Sequence, residues 1–168
     1  MELFAAVETR TSAARLAEPG PSPEELDRLL QAAGRAPDHG RLKPWRLIVL
    51  KDALREAFTA AAAQAKLARL PAVTAEQLAA EREKMNLSPT IVVIGCAVNR
   101  AQTKIPEIEQ IIAVGAAAQN LFLAAHDMGY GVMWKTGAAA YDPAVKATLG
   151  LRPDDHIVGI MHLGARLK

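Results

Sequence analysis

Three observations predict an α+β fold, a single domain over residues 1–168 in which a sheet is sandwiched with helices. Helical and strand patterns mix along the chain without regular βαβ alternation. Thr90 to Val98 is a continuous apolar, β-branched run, as expected of a strand covered on both faces and central in its sheet. Glu107 to Met128 is helical in period but apolar nearly all round, so it belongs in a core, at an interface between two chains, or in both. No repeat, low-complexity linker or domain boundary interrupts the chain, which is long enough to bury most of its apolar surface.

Taken in order, Leu3, Phe4, Ala6 and Val7 predict a short helix ending near Arg10. Ser22-Pro23-Glu24-Glu25 combines an N-cap serine, a proline at the first helical position and a capping-box glutamate. Leu26, Leu29, Leu30 and Ala33 then share one helical face, and Pro37 is the expected stop. Trp45 to Lys51 is a predicted strand, after which Asp52 is expected to cap an alanine-rich helix running toward Pro71. Thr74-Ala75-Glu76-Gln77 is a second capping box, for a helix to about Asn86. Gly129 is the expected C-cap of the long apolar helix, where Gly115 to Ala118 make a patch of small residues suited to close helix packing. Val132 to Thr136 is a short strand, Asp142-Pro143 opens a helix ending at Gly150, and His156 to Leu163 is the last strand.

Composition closes several classes of function. Twenty Lys and Arg against 18 Asp and Glu give a formal net charge of +2, too small an excess for nucleic acid, and no basic run is interleaved with aromatics. Cys96 is the only cysteine, so no intrachain disulfide can form; a buried, inert thiol in a reducing compartment is expected. The acidic N-terminus has no signal-peptide character, and Ile111 to Ala125 is shorter than the roughly 20 residues that span a bilayer, so a cytoplasmic protein off the membrane is expected. His39, His126, His156 and His162 show no paired ligand spacing for a metal. Ser12, Ser22 and Ser88 lie outside any Gly-x-Ser-x-Gly turn, and Gly129-x-Gly131 is followed by Trp134 where a dinucleotide fingerprint needs glycine.

What remains is chemistry for a small anion. Arg35, His39, Arg41 and Lys43 crowd one loop between a helix and a strand. Arg10 and Ser12 offer a guanidinium fork and a hydroxyl in a turn just after a helix, which suits a phosphate, although a solvated Arg and a turn Ser would look the same. Arg35 could equally serve its own helix C-terminus, His39 a structural role, and Trp134 the core.

Three segments in order, Arg10-Thr11-Ser12, Arg35-Ala36-Pro37-Asp38-His39 continuing to Pro44-Trp45, and Gly129-Tyr130-Gly131-Val132-Met133-Trp134-Lys135-Thr136-Gly137, resemble the FMN-dependent nitroreductase family. The likeness runs from about Leu3 to Gly164 and is closest to the small bacterial NAD(P)H nitroreductase branch. It implies a dimeric, nitroreductase-like sandwich with a central, mostly antiparallel sheet flanked by helices. It further implies a homodimer with two flavins held at the subunit interface, and a ping-pong passage of hydride from NADH or NADPH through FMN to a nitroaromatic or quinone-type acceptor. Carried over residue by residue, Arg10, Thr11 and Ser12 hold the phosphate, Arg35 and His39 reach the partner's flavin, and Trp134, Lys135 and Thr136 line the ring. Ala124, Ala125, His126, Asp127, Met128 and Gly129 match a stretch beside the nicotinamide. The flavin carries the chemistry, so no catalytic side chain is implied. The chain departs from the family pattern at Thr11, Arg41 and Lys43, and it stops where relatives continue, so Arg166 or Lys168 could reach the phosphate instead. The other reading is a flavin-binding or interaction module without turnover.

Overall fold

The computed structural model describes residues 2–167 apart from Pro71, Lys84 and Leu87, together with every side chain among them except that of Glu81. Among the described residues, six helices and five strands follow one another as α1 (Leu3–Thr9), β1 (Leu16–Ala17), α2 (Pro23–Ala33), β2 (Trp45–Val49), α3 (Asp52–Arg69), α4 (Ala75–Glu83), β3 (Thr90–Cys96), α5 (Glu107–Asp127), β4 (Tyr130–Lys135), α6 (Pro143–Thr148) and β5 (His156–Arg166). Short 3-10 turns lie at His39–Arg41 and Ala138–Tyr141. Every strand pairing is antiparallel, as an α+β sandwich requires. β3 lies between β2 and β5; β5 pairs with β4 along its other edge, and the two-residue β1 meets β5 beyond the end of β3.

β3 shows how sequence becomes layers. Its alternate residues divide between two cores, as a strand of period two must. Val92, Ile94 and Cys96 join α2 and α5 on one face, while Ile91 and Val93 join Phe58, Ala62 and Ala65 of α3 and Val145 of α6 on the other. All five apolar positions from Ile91 to Ile94 and at Cys96 have 0% exposure, which makes this the central strand the sequence predicts. Burial also raises the Cys96 thiol to a pKa of about 11, with Asp155 and Glu107 adding to the rise, so the thiol stays protonated and inert at neutral pH.

The caps hold where side chain and backbone reciprocate. Ser22 accepts from the Glu25 amide at 3.2 Å while Glu25 accepts from the Ser22 amide at 2.8 Å, and Thr74 with Gln77 does the same. Asp142 accepts from the amides of Ala144 and Val145 and starts α6. Asp52 differs from expectation: it is the first residue of α3, at φ 44°, and Lys51 occupies the cap position without a side-chain bond. α2 ends at Gly34, three residues before Pro37, and α5 ends one residue early, with Met128 as C-cap and Gly129 next at φ 88°. The last strand runs three residues beyond Leu163, because its far end gains partners in β4 and β1 that its own sequence does not announce.

α5 has the length and composition of a membrane-crossing helix, 21 residues with a mean hydropathy of 1.4. Here it packs against α2 and the sheet, burying Ala113, Val114, Ala117, Ala118, Leu121, Phe122 and Ala125. Its first two turns instead expose Ile108 and Ile112, and the adjoining α1 exposes Leu3, Phe4 and Val7.

Candidate functional site

On the face of the sheet that carries α3, beside the C-terminal half of β5, the chain forms two adjoining cavities. The first, about 230 Å³, is walled by Ala13 to Leu16, Ser88, Met133, Lys135, His162 and Leu167. The second, about 590 Å³, runs under α3 between Ala62, Lys66 and Leu70 on one side and Lys135 to Ala139 on the other. Lys135 and His162 belong to both walls. They come together because β4 and β5 pair as Met133 with His162 and Lys135 with Ile160, which places the lysine and histidine as diagonal neighbours on one face.

The N-terminal loop reaches the first cavity through a close approach that only glycine allows. The Ala13 amide donates to Val132 O at 2.9 Å, and a Cβ on Gly131 would meet Leu16 at 2.6 Å and Ala13 at 2.9 Å. The second glycine of the Gly-x-Gly pair therefore seats the loop that precedes the cavity. Arg166 at the end of β5 donates to the Thr11 hydroxyl and carbonyl, both at 2.8 Å. Thr11 and Ser12 are exposed beside this guanidinium. Arg10 lies half-buried, its guanidinium 4.6 Å above the Phe122 ring of α5. Arg15 in the cavity wall and Arg166 on Thr11 thus concentrate positive charge around the hydroxyl-bearing loop that leads to the cavity, whereas the Arg10 guanidinium is held on the α5 side, and Lys168 lies outside the described residues.

His162 is the polar member of this wall that sequence reasoning left unassigned. It is 2% exposed, and burial, aided by the cations Lys135 and Arg55, lowers its pKa to about 4, so the ring is neutral at physiological pH. Its Nδ1 lies 2.8 Å from the Ser88 hydroxyl. Arg55 of α3 fixes the segment bearing Ser88 by donating to the carbonyls of Met85, Ser88 at 2.7 Å and Pro89 at 3.1 Å. A signal was present, since His162 is the one polar side chain in the apolar run Ile157 to Leu163, but a lone histidine in a strand has no spacing to give it meaning.

The remaining predicted residues fall in other places. Lys135 and Thr136 are exposed at the cavity wall. The Trp134 side chain points to the opposite face, where its indole donates to Val158 O at 3.1 Å and packs on the α2–α5 core, so only its main chain can face the cavity. Arg35 is exposed just after α2, and His39 lies 2.6 Å from Glu109 of α5. Neither lines the two cavities of its own chain. The loop holding them is tied by Asp38, which accepts from the Lys43 amide at 2.5 Å, and both Arg41 and Lys43 adopt positive φ.

Ala124 to Gly129 lies on the far face of the sheet from the two cavities, engaged in packing within its own chain. Ala125 is wholly buried, Ala124 and Met128 pack against the same core, and His126 meets Thr9 of α1 at 2.9 Å. Asp127 closes α5, and Gly129 turns the chain into β4. The walls of both cavities are built from other residues.

Comparison with known proteins agrees with this architecture. Residues 8–165 match the family model described as Nitroreductase family. The Escherichia coli K12 protein named "Putative NAD(P)H nitroreductase YdjA" is 34% identical over 155 residues, covering 92% of this chain and 83% of that protein. A Haemophilus influenzae protein named "Putative NAD(P)H nitroreductase" is 28% identical over 172 residues, covering 100% and 90%. Among solved structures, a nitroreductase-like family protein from Bacillus cereus aligns with a TM-score of 0.82 at 24% identity, over 100% of this chain and 87% of that one. A Desulfovibrio desulfuricans protein described as a nitroreductase in complex with FMN aligns with a TM-score of 0.75 at 20% identity, over 100% and 88%. The fold is nitroreductase-like.

Proposed function

Since the chain belongs to the Nitroreductase family, an oxidoreductase family, we propose that it is an FMN-dependent enzyme carrying hydride from NADH or NADPH to a nitroaromatic or quinone-type acceptor. The observation that carries this reading is the pair of cavities sharing Lys135 and His162, with Arg15 in the wall of the first and Arg166 bonded to Thr11 in the loop that leads to it. The names of the relatives and the FMN held by a protein of the same fold support it.

The residues fit the group. A flavin mononucleotide needs cations and donors at its phosphate, a largely apolar slot for its ring and a few polar groups at the ring edge. Arg15 in the cavity wall, with Thr11, Ser12 and Arg166 in the adjoining loop and strand end and Arg10 carried over by the family resemblance, would supply the first, Met133, Ala62, Leu70 and Ile160 the second, and Lys135, Thr136 and the buried His162 the third. When bound, FMN supplies the redox chemistry by taking up and returning a hydride equivalent. With FMN bound there, Lys135 would place a positive charge beside the ring edge, α3 would exclude water from one side, and the main chain from Trp134 to Gly137 would offer amides.

The same reading takes the protein as a homodimer. Leu3, Phe4, Val7, Ile108 and Ile112 form exposed apolar surface on the paired helices α1 and α5, which a second copy would cover. Arg35 and His39, remote from the cavities of their own chain, would then reach the partner's flavin.

An absorption spectrum of the purified protein, followed by anaerobic mixing with NADH and with NADPH, tests the proposal. The flavin band should bleach with at least one donor and return in a separate step on adding a quinone. Steady-state double-reciprocal lines at several acceptor concentrations should be parallel, the mark of a ping-pong cycle. Bound flavin that stays oxidised with both donors would instead indicate a module that does not turn over.

A further inference from the structure

Among the described residues, two buried side-chain polar atoms have no hydrogen-bond partner, Arg55 Nε and His162 Nε2. Leaving a donor or acceptor buried and unmade is costly, so such atoms call for an explanation. Arg55 already spends its other guanidinium nitrogens on three carbonyls. His162 lies in the wall common to both cavities, and half of its bonding capacity is unused.

The position of the ring proton follows from Ser88. This hydroxyl is 2% exposed, and its one hydrogen-bond partner among the described residues is His162 Nδ1. A buried hydroxyl needs an acceptor for its proton, and the neutral ring provides one at Nδ1. Ser88 therefore donates to Nδ1, and the remaining ring hydrogen sits on Nε2. Nε2–H is then a fixed donor beside the Lys135 ammonium, on the same face of the sheet. Two donors side by side, one charged and one neutral, match an edge rich in acceptors. The pyrimidine part of a flavin is such an edge, and it gains negative charge on reduction.

We propose that His162 is a flavin-binding residue, its Nε2–H donating to an acceptor on the pyrimidine edge of FMN beside Lys135, with Ser88 fixing the tautomer. The assignment rests on the FMN reading above and adds to it a residue from β5.

The test uses the whole apoprotein titrated with FMN, for the wild type, His162→Gln, and a double variant Ser88→Ala with His162→Leu that leaves no hydroxyl without an acceptor. The double variant should bind FMN roughly 3- to 10-fold more weakly, the loss of one hydrogen bond, and the loss should be larger for reduced than for oxidised FMN. His162→Gln, which keeps a donor, should recover part of that affinity. The apo double variant should melt at or above the wild-type temperature, because an unmet polar atom has gone. A purely structural histidine gives the reverse pattern: an unstable apoprotein with unchanged FMN affinity and potential. In the wild type itself, the His162 Nε2 nitrogen resonance should shift on adding FMN. A wild type that binds FMN with this resonance unmoved, or a double variant that matches it in affinity and potential, overturns the role of His162 alone. A wild type that binds no FMN overturns the functional reading, and this assignment with it.

Discussion

β5 is anchored by opposite means at its two ends. Where it begins, polar groups close on one another. Asp155, 2% exposed, accepts from the Val98 amide at 3.0 Å and from the Arg152 amide and guanidinium, while Arg152 donates back to Val98 O at 2.6 Å. Gln110 accepts from the Asn99 amide and donates to its carbonyl, and His156 meets Glu107 at 2.5 Å. Six residues further along the strand, His162 has a single hydrogen-bond partner among the described residues and lines two cavities. Burial alone would raise the Asp155 carboxyl, yet its hydrogen bonds from Arg152 and Val98 hold it below the ordinary value. At His162 burial acts with the neighbouring cations and nothing opposes it. A polar group completed from within the chain stiffens the frame, whereas one left incomplete beside a cavity is available to a ligand.

The strongest way to break this contrast is at the closed end. Asp155→Ala leaves the Val98 amide and the Arg152 donors without their acceptor, and should cost about 3 to 5 kcal/mol of stability by urea unfolding. FMN affinity of the folded fraction should stay the same, since the damage is to the frame. A large loss of FMN binding at unchanged stability would erase the distinction between the two ends.

Acid separates the ends next. The unfolded His162 takes a proton as the pH falls through 6.5, but the folded ring resists until about 4. Protons therefore favour the unfolded chain across that interval, and stability should fall by about 3 kcal/mol between pH 6.5 and 4 from this group. The Asp155 carboxyl, held below its ordinary 3.8, contributes its own loss only at lower pH. Urea midpoints at half-unit pH steps for wild type and His162→Gln check this: the variant should show a flatter slope between pH 6.5 and 4. An equal slope would assign the acid sensitivity to other groups.

The closed end was the less legible of the two in sequence, and the reason is physical. Local reciprocity leaves a signature within three or four residues, so the Ser22, Thr74 and Asp142 caps and the buried run at Thr90 could be read directly. Asp155 with Val98, or Gln110 with Asn99, join residues brought close by tertiary structure, and neither partner looks unusual alone. The same holds for the cavity. Lys135 and Thr136 were legible through a family motif, but the diagonal pairing that sets His162 beside Lys135 depends on strand register. Trp134 shows the limit of the motif itself. Adjacent strand residues point to opposite faces, so a motif that holds Lys135 at the cavity must send the neighbouring indole into the core.

The smallest expected effect sharpens the open end. Lys135 is exposed, unlike His162, so water and salt would weaken the field it exerts on a flavin held in the proposed site. Lys135→Met removes that charge and should lower the reduction potential of bound FMN, because negative charge gathering on the reduced pyrimidine loses a cation. For an exposed charge the effect should be on the order of 1 kcal/mol, or about 20 mV for a two-electron couple. Redox titration of wild type and variant at low and at high salt measures it, and the gap should narrow as salt rises. The loss on removing the His162 donor should persist in high salt, since a buried neutral hydrogen bond is not screened. If both effects vanished together with salt, the two groups would act only through a shared surface field. If the Lys135 effect alone faded, the open end would contain two kinds of contact, a screened cation outside and a dry donor within.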